Sequence, residues 1–216
     1  MQRQEFYGLD MQIDEHLKRP GLSPALRVLV AVAATTWRAD WPQLISWTAR
    51  AAALEHEREG LEETLLMCVL FCGFPRAITA WGHLSTTWPA EPAPRGGALP
   101  AEEQQAAGSA LFAEIYGKND AQVRDMLRSF HGELHDFVLQ AAYGRILTRP
   151  GLPPLSRELI AVGVLAAQDQ RRQFLGHAKG ARRLGATHEQ LEEVLHTTFG
   201  DDRARARSWI TQLPQA

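Results

Sequence analysis

Arg19-Pro20-Gly21-Leu22 recurs as Arg149-Pro150-Gly151-Leu152, an offset of 130 between positions 19 and 149. Without a gap, the same offset pairs Arg27 with Arg157, Leu29 with Leu159, and Ala31-Val32 with Ala161-Val162. It continues through Gln43 with Gln173, Ala51 with Ala181, Leu54 with Leu184, Leu61-Glu62-Glu63 with Leu191-Glu192-Glu193, and Leu65 with Leu195. Roughly a third of the positions from Leu17 to Leu65 match their partners, where ordinary residue frequencies would give about one in fifteen. A repeat of this kind restricts the chain to two copies of one unit. Three short helices alone bury little surface, so the copies are expected to pack on each other as one domain.

Each copy reads as three helices. In the second, Arg-Pro-Gly-Leu-Pro-Pro is extended, because proline disfavours helix in the residue before it. Ser156 is the expected N-cap, with Glu158 in the first turn. The run Leu159 to Ala167 is apolar nearly all round and reads as a buried helix. A second helix is expected from about Asp169 to Leu184, ending at Gly185, and Thr187 with Gln190 forms a capping box for a third. The first copy has Ser23 as N-cap, Pro24 at the first helical position, and a third helix from about Leu61 to Cys72. Gly73-Phe74-Pro75 then breaks it before a short helix carrying Ala77, Ile78 and Trp81.

The expected organisation is a single domain over 1–216. Residues 10–81 form the first copy with a degenerate site, 82–100 a Pro/Gly-rich surface connector, and 101–147 intervening helices. Residues 148–216 form the second copy, with the candidate site. Among the intervening residues, Ala101 to Tyr116 and Val123 to Leu147 read as helices, the latter with an apolar stripe of Leu127, Phe130, Leu134, Phe137 and Val138. No segment sustains a period of two, so the fold class is all-α.

A formal net charge of −2 gives no footprint for nucleic acid or an anionic membrane, and neither is expected as a partner. The apolar run Val28 to Ala34 is far short of the roughly 20 residues of a membrane span. Two cysteines exclude a disulfide scaffold, and with no apolar segment behind Met1 to Glu5 the expected location is a reducing cytoplasm. Cys68 and Cys72 sit among Leu65, Val69 and Phe71 and read as small buried apolar residues; a redox or metal pair is the alternative. His131-Gly-Glu133-Leu-His135 has its Glu one place late for a zinc motif and reads as a polar helix face, so no metal is expected. Tyr116-Gly117 and Tyr143-Gly144 read as helix ends, although Tyr143 is within reach of the candidate pocket.

Glu158 and His177 lie on the first and second helices of the second copy. A tight turn near Gln168-Asp169 would make these helices antiparallel and bring the two groups together. Gln170, Gln173 and His177, at i, i+3 and i+7, are expected on one face. A carboxylate beside an apolar helix can act as an acid, and an imidazole exchanges protons near neutrality. Each also has a purely structural reading, as a helix-dipole partner or a satisfied core histidine. The first copy has Val28 and Trp47 at the matching positions, and Asp40 for Gln170, so only the second keeps the ionisable pair.

Ser156 to Val162, Phe174 to Ala181, Leu184 to Thr187 and Leu191 to Leu195 carry a resemblance to the carboxymuconolactone decarboxylase-like family, which shares its fold with alkyl hydroperoxidase D. Gly73-Phe74-Pro75 with Ala77 and Trp81 is similar to the family's closing segment, and the resemblance covers most of the chain. It implies two alkyl hydroperoxidase D-like helical units and a homo-oligomer, a trimer or dimer. The family's peroxidase branch places two cysteines where this chain has Gln170 and Gln173, and an amide cannot replace a thiolate. Peroxidase chemistry of that kind is not expected. The resemblance implies a lyase without cofactor acting on a small carboxylated, lactone-like substrate. His177 would transfer the proton and Glu158 orient it; Gln170 and Gln173 would hold a carboxylate or carbonyl, and Arg157 would supply charge. Two readings stay open beside it: a thiol-dependent antioxidant using Cys68 and Cys72, and a non-catalytic binding or assembly protein.

Overall fold

The structure is a computed structural model that describes residues 12–91 and 97–214; positions 1–11, 92–96 and 215–216, which include the outer limits expected for the first copy and part of the connector, lie outside the described residues. The helices are α1 (12–17), α2 Pro24–Arg38, α3 Trp41–Ala53, α4 Arg58–Thr87, α5 Ala101–Tyr116, α6 Asp120–Phe130 and α7 Gly132–Phe137. A π-helical segment, Val138–Leu147, follows, and then α8 Pro154–Ala167, α9 Arg171–Arg183, α10 His188–Phe199 and α11 Arg203–Ile210. Among the described residues there is no strand, and the protein is all-α.

The helix starts fall in pairs at an offset of 130: Pro24, Trp41 and Arg58 in the first half, Pro154, Arg171 and His188 in the second. Helices α2 and α8 lie against each other at the centre, buried from Arg27 to Thr36 and from Arg157 to Ala166. The apolar runs Val28 to Ala34 and Leu159 to Ala166 force this placement, since over them neither helix has a face to give to water. On α2 pack α3 and α4, and on α8 pack α9 and α10. Ser23 caps α2 by accepting from Leu26 N–H at 3.2 Å, and the Thr187–Gln190 capping box starts α10, both as expected. Ser156 does not cap α8. The helix begins earlier, at Pro154, because the proline ring already holds the φ of a first helical residue.

Helix α4 is broken at Gly73, whose φ of 77° and ψ of 161° suit only a residue without Cβ. Pro75 then restarts the helix, which runs on to Thr87, so the first part of the expected 82–100 connector is helical. By length and composition α4 is apolar enough to cross a membrane, but Leu61, Leu65, Met67 and Cys68 on it are buried in the core. The expected helix Val123 to Leu147 is interrupted at His131, in extended conformation, and ends in the π-helical segment. Its apolar stripe is not all core: Phe130, Leu134 and Phe137 are exposed. Helix α5 packs closely on the π-helical segment through Gly108 and Gly144, where a Cβ on either would run into backbone of the other element.

Two ion clusters tie the halves crosswise. Arg27, fully buried, donates to Glu193 Oε2 at 2.9 Å, to Thr197 Oγ1 at 2.8 Å, and to the carbonyls of Arg19 and Pro20 at 3.0 Å. Arg19 also pairs with Glu193. At the offset positions, Arg157 donates to Glu63 Oε2 and to the Arg149 carbonyl, both at 2.8 Å, while Arg149 donates to Glu63 Oε1 at 2.8 Å. Each half therefore neutralises the other's buried arginine, which an apolar core requires of any charge it encloses.

Candidate active site

The turn Gln168–Gln170, with Asp169 at a φ of 58°, reverses the chain between α8 and α9. This hairpin sets the start of α8 beside the latter part of α9. His177 Nδ1 lies 3.1 and 3.0 Å from the two Glu158 oxygens. Glu158 is 1% exposed and His177 8%. Gly180, one turn after His177, makes room for the carboxylate: a Cβ there would lie 2.6 Å from Glu158 Oε2.

Burial works against a charged imidazole, but the Glu158 charge and hydrogen bond outweigh it and raise the His177 pKa above its ordinary value. An ionised Glu158 only accepts, so Nδ1 carries the shared proton and Nε2 is the nitrogen left to exchange one. The ring meets Phe71 of α4 edge-on, with centroids 6.0 Å apart, so the first half supplies one wall.

Tyr143, on the π-helical segment, lies within reach of the Glu158 charge. Its hydroxyl donates to Tyr116 Oη at 3.4 Å, and Phe112 packs against both rings at 4.8 and 4.3 Å. Burial pushes the Tyr143 phenol well above its usual range, with Tyr116 and Glu158 adding to the shift. The Tyr116 phenol is also raised, chiefly by burial. Both phenols thus keep their protons near neutrality.

Glu158 and His177 meet across the hairpin, and Tyr143 lies near enough for the Glu158 charge to act on its phenol while its hydroxyl bonds Tyr116. Arg157 does not join them: its guanidinium is held on Glu63, because consecutive residues on a helix point about 100° apart and Arg157 faces a different neighbour from Glu158. Gln170 precedes α9, exposed, with its amide 3.4 Å from the Gln168 carbonyl, where the aligned Asp40 instead caps α3. Gln173 is exposed and lines a surface hollow of about 360 Å³ between α6 and α9, together with Tyr116, Met126, Arg172 and Lys179. Tyr116 and Phe71 were not expected here. The first looked like helix punctuation, and the second is separated from His177 by more than a hundred residues. A larger hollow of about 630 Å³ lies by α1, lined by His16, Arg19, His196 and Arg203, remote from the pair; its Arg19 is already engaged with Glu193.

Cys68 and Cys72 are buried, and Cys68 is held well above its ordinary pKa by its hydrogen bond with Cys72 and by burial. His131 accepts from Glu133 N–H at the start of α7, and His135 pairs with Asp136 at 2.8 Å. Among the described residues, no group of three or more His, Cys, Asp or Glu converges on a metal position.

A family model, the carboxymuconolactone decarboxylase family, matches residues 133–204, which contain Glu158 and His177. Peroxisomal protein 2 of Schizosaccharomyces pombe is 32% identical over 178 residues, covering 79% of this chain and 82% of the relative. The 4-carboxymuconolactone decarboxylase of Acinetobacter baylyi is 27% identical over 100 residues, covering 45% of this chain and 75% of the relative. With these matches over a buried histidine–glutamate hairpin, the chain belongs to the carboxymuconolactone decarboxylase family.

Proposed function

We propose that the protein is a lyase needing no cofactor, in which His177 and Glu158 move a proton on a small carboxylated, lactone-like substrate. One observation carries this reading: an imidazole and a carboxylate meet at 3.0 Å across the α8–α9 hairpin, buried, with Nε2 left to exchange a proton. The decarboxylase among the similar proteins supports the reaction class.

Breaking the bond to a carboxylate carbon releases CO2 and leaves an electron pair, which a conjugated carbonyl delocalises. Protonation at carbon completes the reaction. His177, with its pKa raised, is the acid that gives this proton from Nε2; Glu158 balances the imidazolium and holds the ring. Solvent returns the proton afterwards. The two-copy organisation belongs to the same proposal: the first half supplies Phe71 and Glu63 rather than a second site. So does self-association, supported by exposed Phe74 and Ile78 and measured by light scattering.

The test follows CO2 release from 4-carboxymuconolactone by wild type, His177→Ala and Glu158→Gln. Loss of roughly 100-fold or more in His177→Ala, with an unchanged circular dichroism spectrum, is expected of general acid catalysis. Undiminished turnover in His177→Ala removes the histidine from the reaction. Absence of turnover by the wild-type protein on this and related lactone acids overturns the lyase reading.

A further inference from the structure

The hollow between α6 and α9 has walls of two kinds. From α6 come Val123, Met126 and Phe130, at i, i+3 and i+7, giving an apolar and polarisable side. From α9 come Arg172 and Lys179, seven apart on one face. The carboxylates of α6 are engaged elsewhere, Asp120 with Arg124 at 2.7 Å and Asp125 with Arg128 at 3.2 Å. Among the described residues neither Arg172 nor Lys179 has a carboxylate partner; Arg172 reaches only the Met126 sulfur. A concave surface, apolar on one side with two uncompensated cations on the other, suits a small molecule with an unsaturated body and a carboxylate.

The inner wall is Tyr116. It belongs both to the hollow and to the cluster around the buried pair, through its contact with Tyr143. Glu158 and His177 are nearly closed to solvent. Gly176 faces the Tyr116 ring, with the nearest ring atom 3.8 Å from where a Cβ would stand, so at that position α9 sets no side chain against the ring. Tyr116 ends its helix, and a rotamer change there gives up the long 3.4 Å hydrogen bond from Tyr143 and the Phe112 contact.

We propose that this hollow docks a small unsaturated acid by one of its carboxylates, held by Arg172 and Lys179, and that Tyr116 is the gate between it and the Glu158–His177 pair. The proposal rests on the proton-transfer reading of that pair, which it supplies with a substrate class and a route. Gln173, beside the two cations, adds an amide for the carboxylate or a ring carbonyl.

Benzoate is the probe, with benzamide as its uncharged counterpart, and binding is followed by calorimetry. Wild type is expected to bind benzoate at least tenfold more tightly than benzamide. The double variant Arg172→Gln/Lys179→Gln, altered only at exposed side chains, is expected to lose tenfold or more for benzoate alone. Equal affinity of wild type for the two probes, or unchanged benzoate affinity in the double variant, overturns the docking site. The gate is read from carbethoxylation of His177 by diethyl pyrocarbonate, located by mass spectrometry. The rate is expected to rise tenfold or more in Tyr116→Ala and to stay near wild type in Tyr116→Phe, which keeps the ring. Equal rates in all three remove Tyr116 as the barrier. Benzoate binding that needs the two cations, together with full turnover in His177→Ala, sinks the proton-transfer reading while the docking site survives. The reverse pair of results sinks the docking site alone.

Discussion

Glu193→Gln should be among the most damaging single-atom-scale changes in the molecule. The Arg27 side chain is 0% exposed and has one carboxylate partner, Glu193, at 2.9 Å. Its other acceptors, Thr197 Oγ1 and two backbone carbonyls, are neutral. Replacing the carboxylate with an amide leaves a guanidinium enclosed without a counter-charge, a change that costs about 3–5 kcal/mol when a buried pair is broken from one side. Total stability for a domain is about 5–15 kcal/mol, so the loss is a third or more of it in most cases. At roughly 2–4 °C per kcal/mol for a chain of this size, the midpoint should fall by about 6–20 °C. Glu63→Gln should cost a similar amount, since Arg157 is equally enclosed, its side chain 2% exposed. Urea unfolding with linear extrapolation measures both, and Glu15→Gln, whose partner Lys18 is exposed, serves as a control expected to lie within about 0.5 kcal/mol of wild type. A loss under about 1 kcal/mol in both buried-pair variants would refute the reasoning. The replacement of both members, Arg27→Met with Glu193→Leu, should recover much of the loss, because no unpaired charge is then left behind.

Three further outcomes follow from the same geometry. Burial acts to raise the Glu193 pKa, but its bonds to Arg19 and Arg27 prevail and hold it low; its stabilisation is therefore present above the ordinary carboxylate range and lost as pH falls through the depressed value, which melting curves of wild type and Glu193→Gln over acid pH would show as a narrowing gap. His177 has the opposite sign: its folded pKa is raised above 6.5, so its contribution is present below 6.5 and fades as pH climbs through the folded value, and nitrogen-15 NMR should find that pKa lowered in Glu158→Gln; an unchanged titration would separate the two groups. Gly144→Ala should cost about 1–3 kcal/mol or more and loosen α5, because the new methyl meets the Gln104 carbonyl rather than a side chain that can move; hydrogen exchange of α5 amides reads this directly, and unaltered protection would contradict the packing.

Helical periodicity and proline–glycine punctuation made most of the fold legible. Leu159 to Ala167 announced a buried helix, Gly73-Phe74-Pro75 a break, and Thr187 with Gln190 a helix start, and each lies where those local rules place it. The local rules failed where tertiary contact decides. The segment Val138–Leu147 winds as a π-helix and sets Gly144 against α5, and no pattern in one sequence distinguishes that from an ordinary helical turn. At the site, the Glu158–His177 meeting was readable because one hairpin makes it. Arg157 was misjudged because its neighbour in sequence points into the site while its own side chain answers to Glu63, 94 residues away. Tyr116 and Phe71 reach the pair across element boundaries that spacing does not encode.

The crosswise pairing of charges also bears on how this chain can be divided. Severed after α4, residues 97–214 would keep both the imidazole and its carboxylate partner, yet Arg157 would have no acid and His177 would lose the phenyl ring against it. The amino-terminal fragment would be left with Arg27 stranded in the same way. Neither piece is expected to stand alone, and a mixture of the two is the smallest preparation in which both arginines regain their acids.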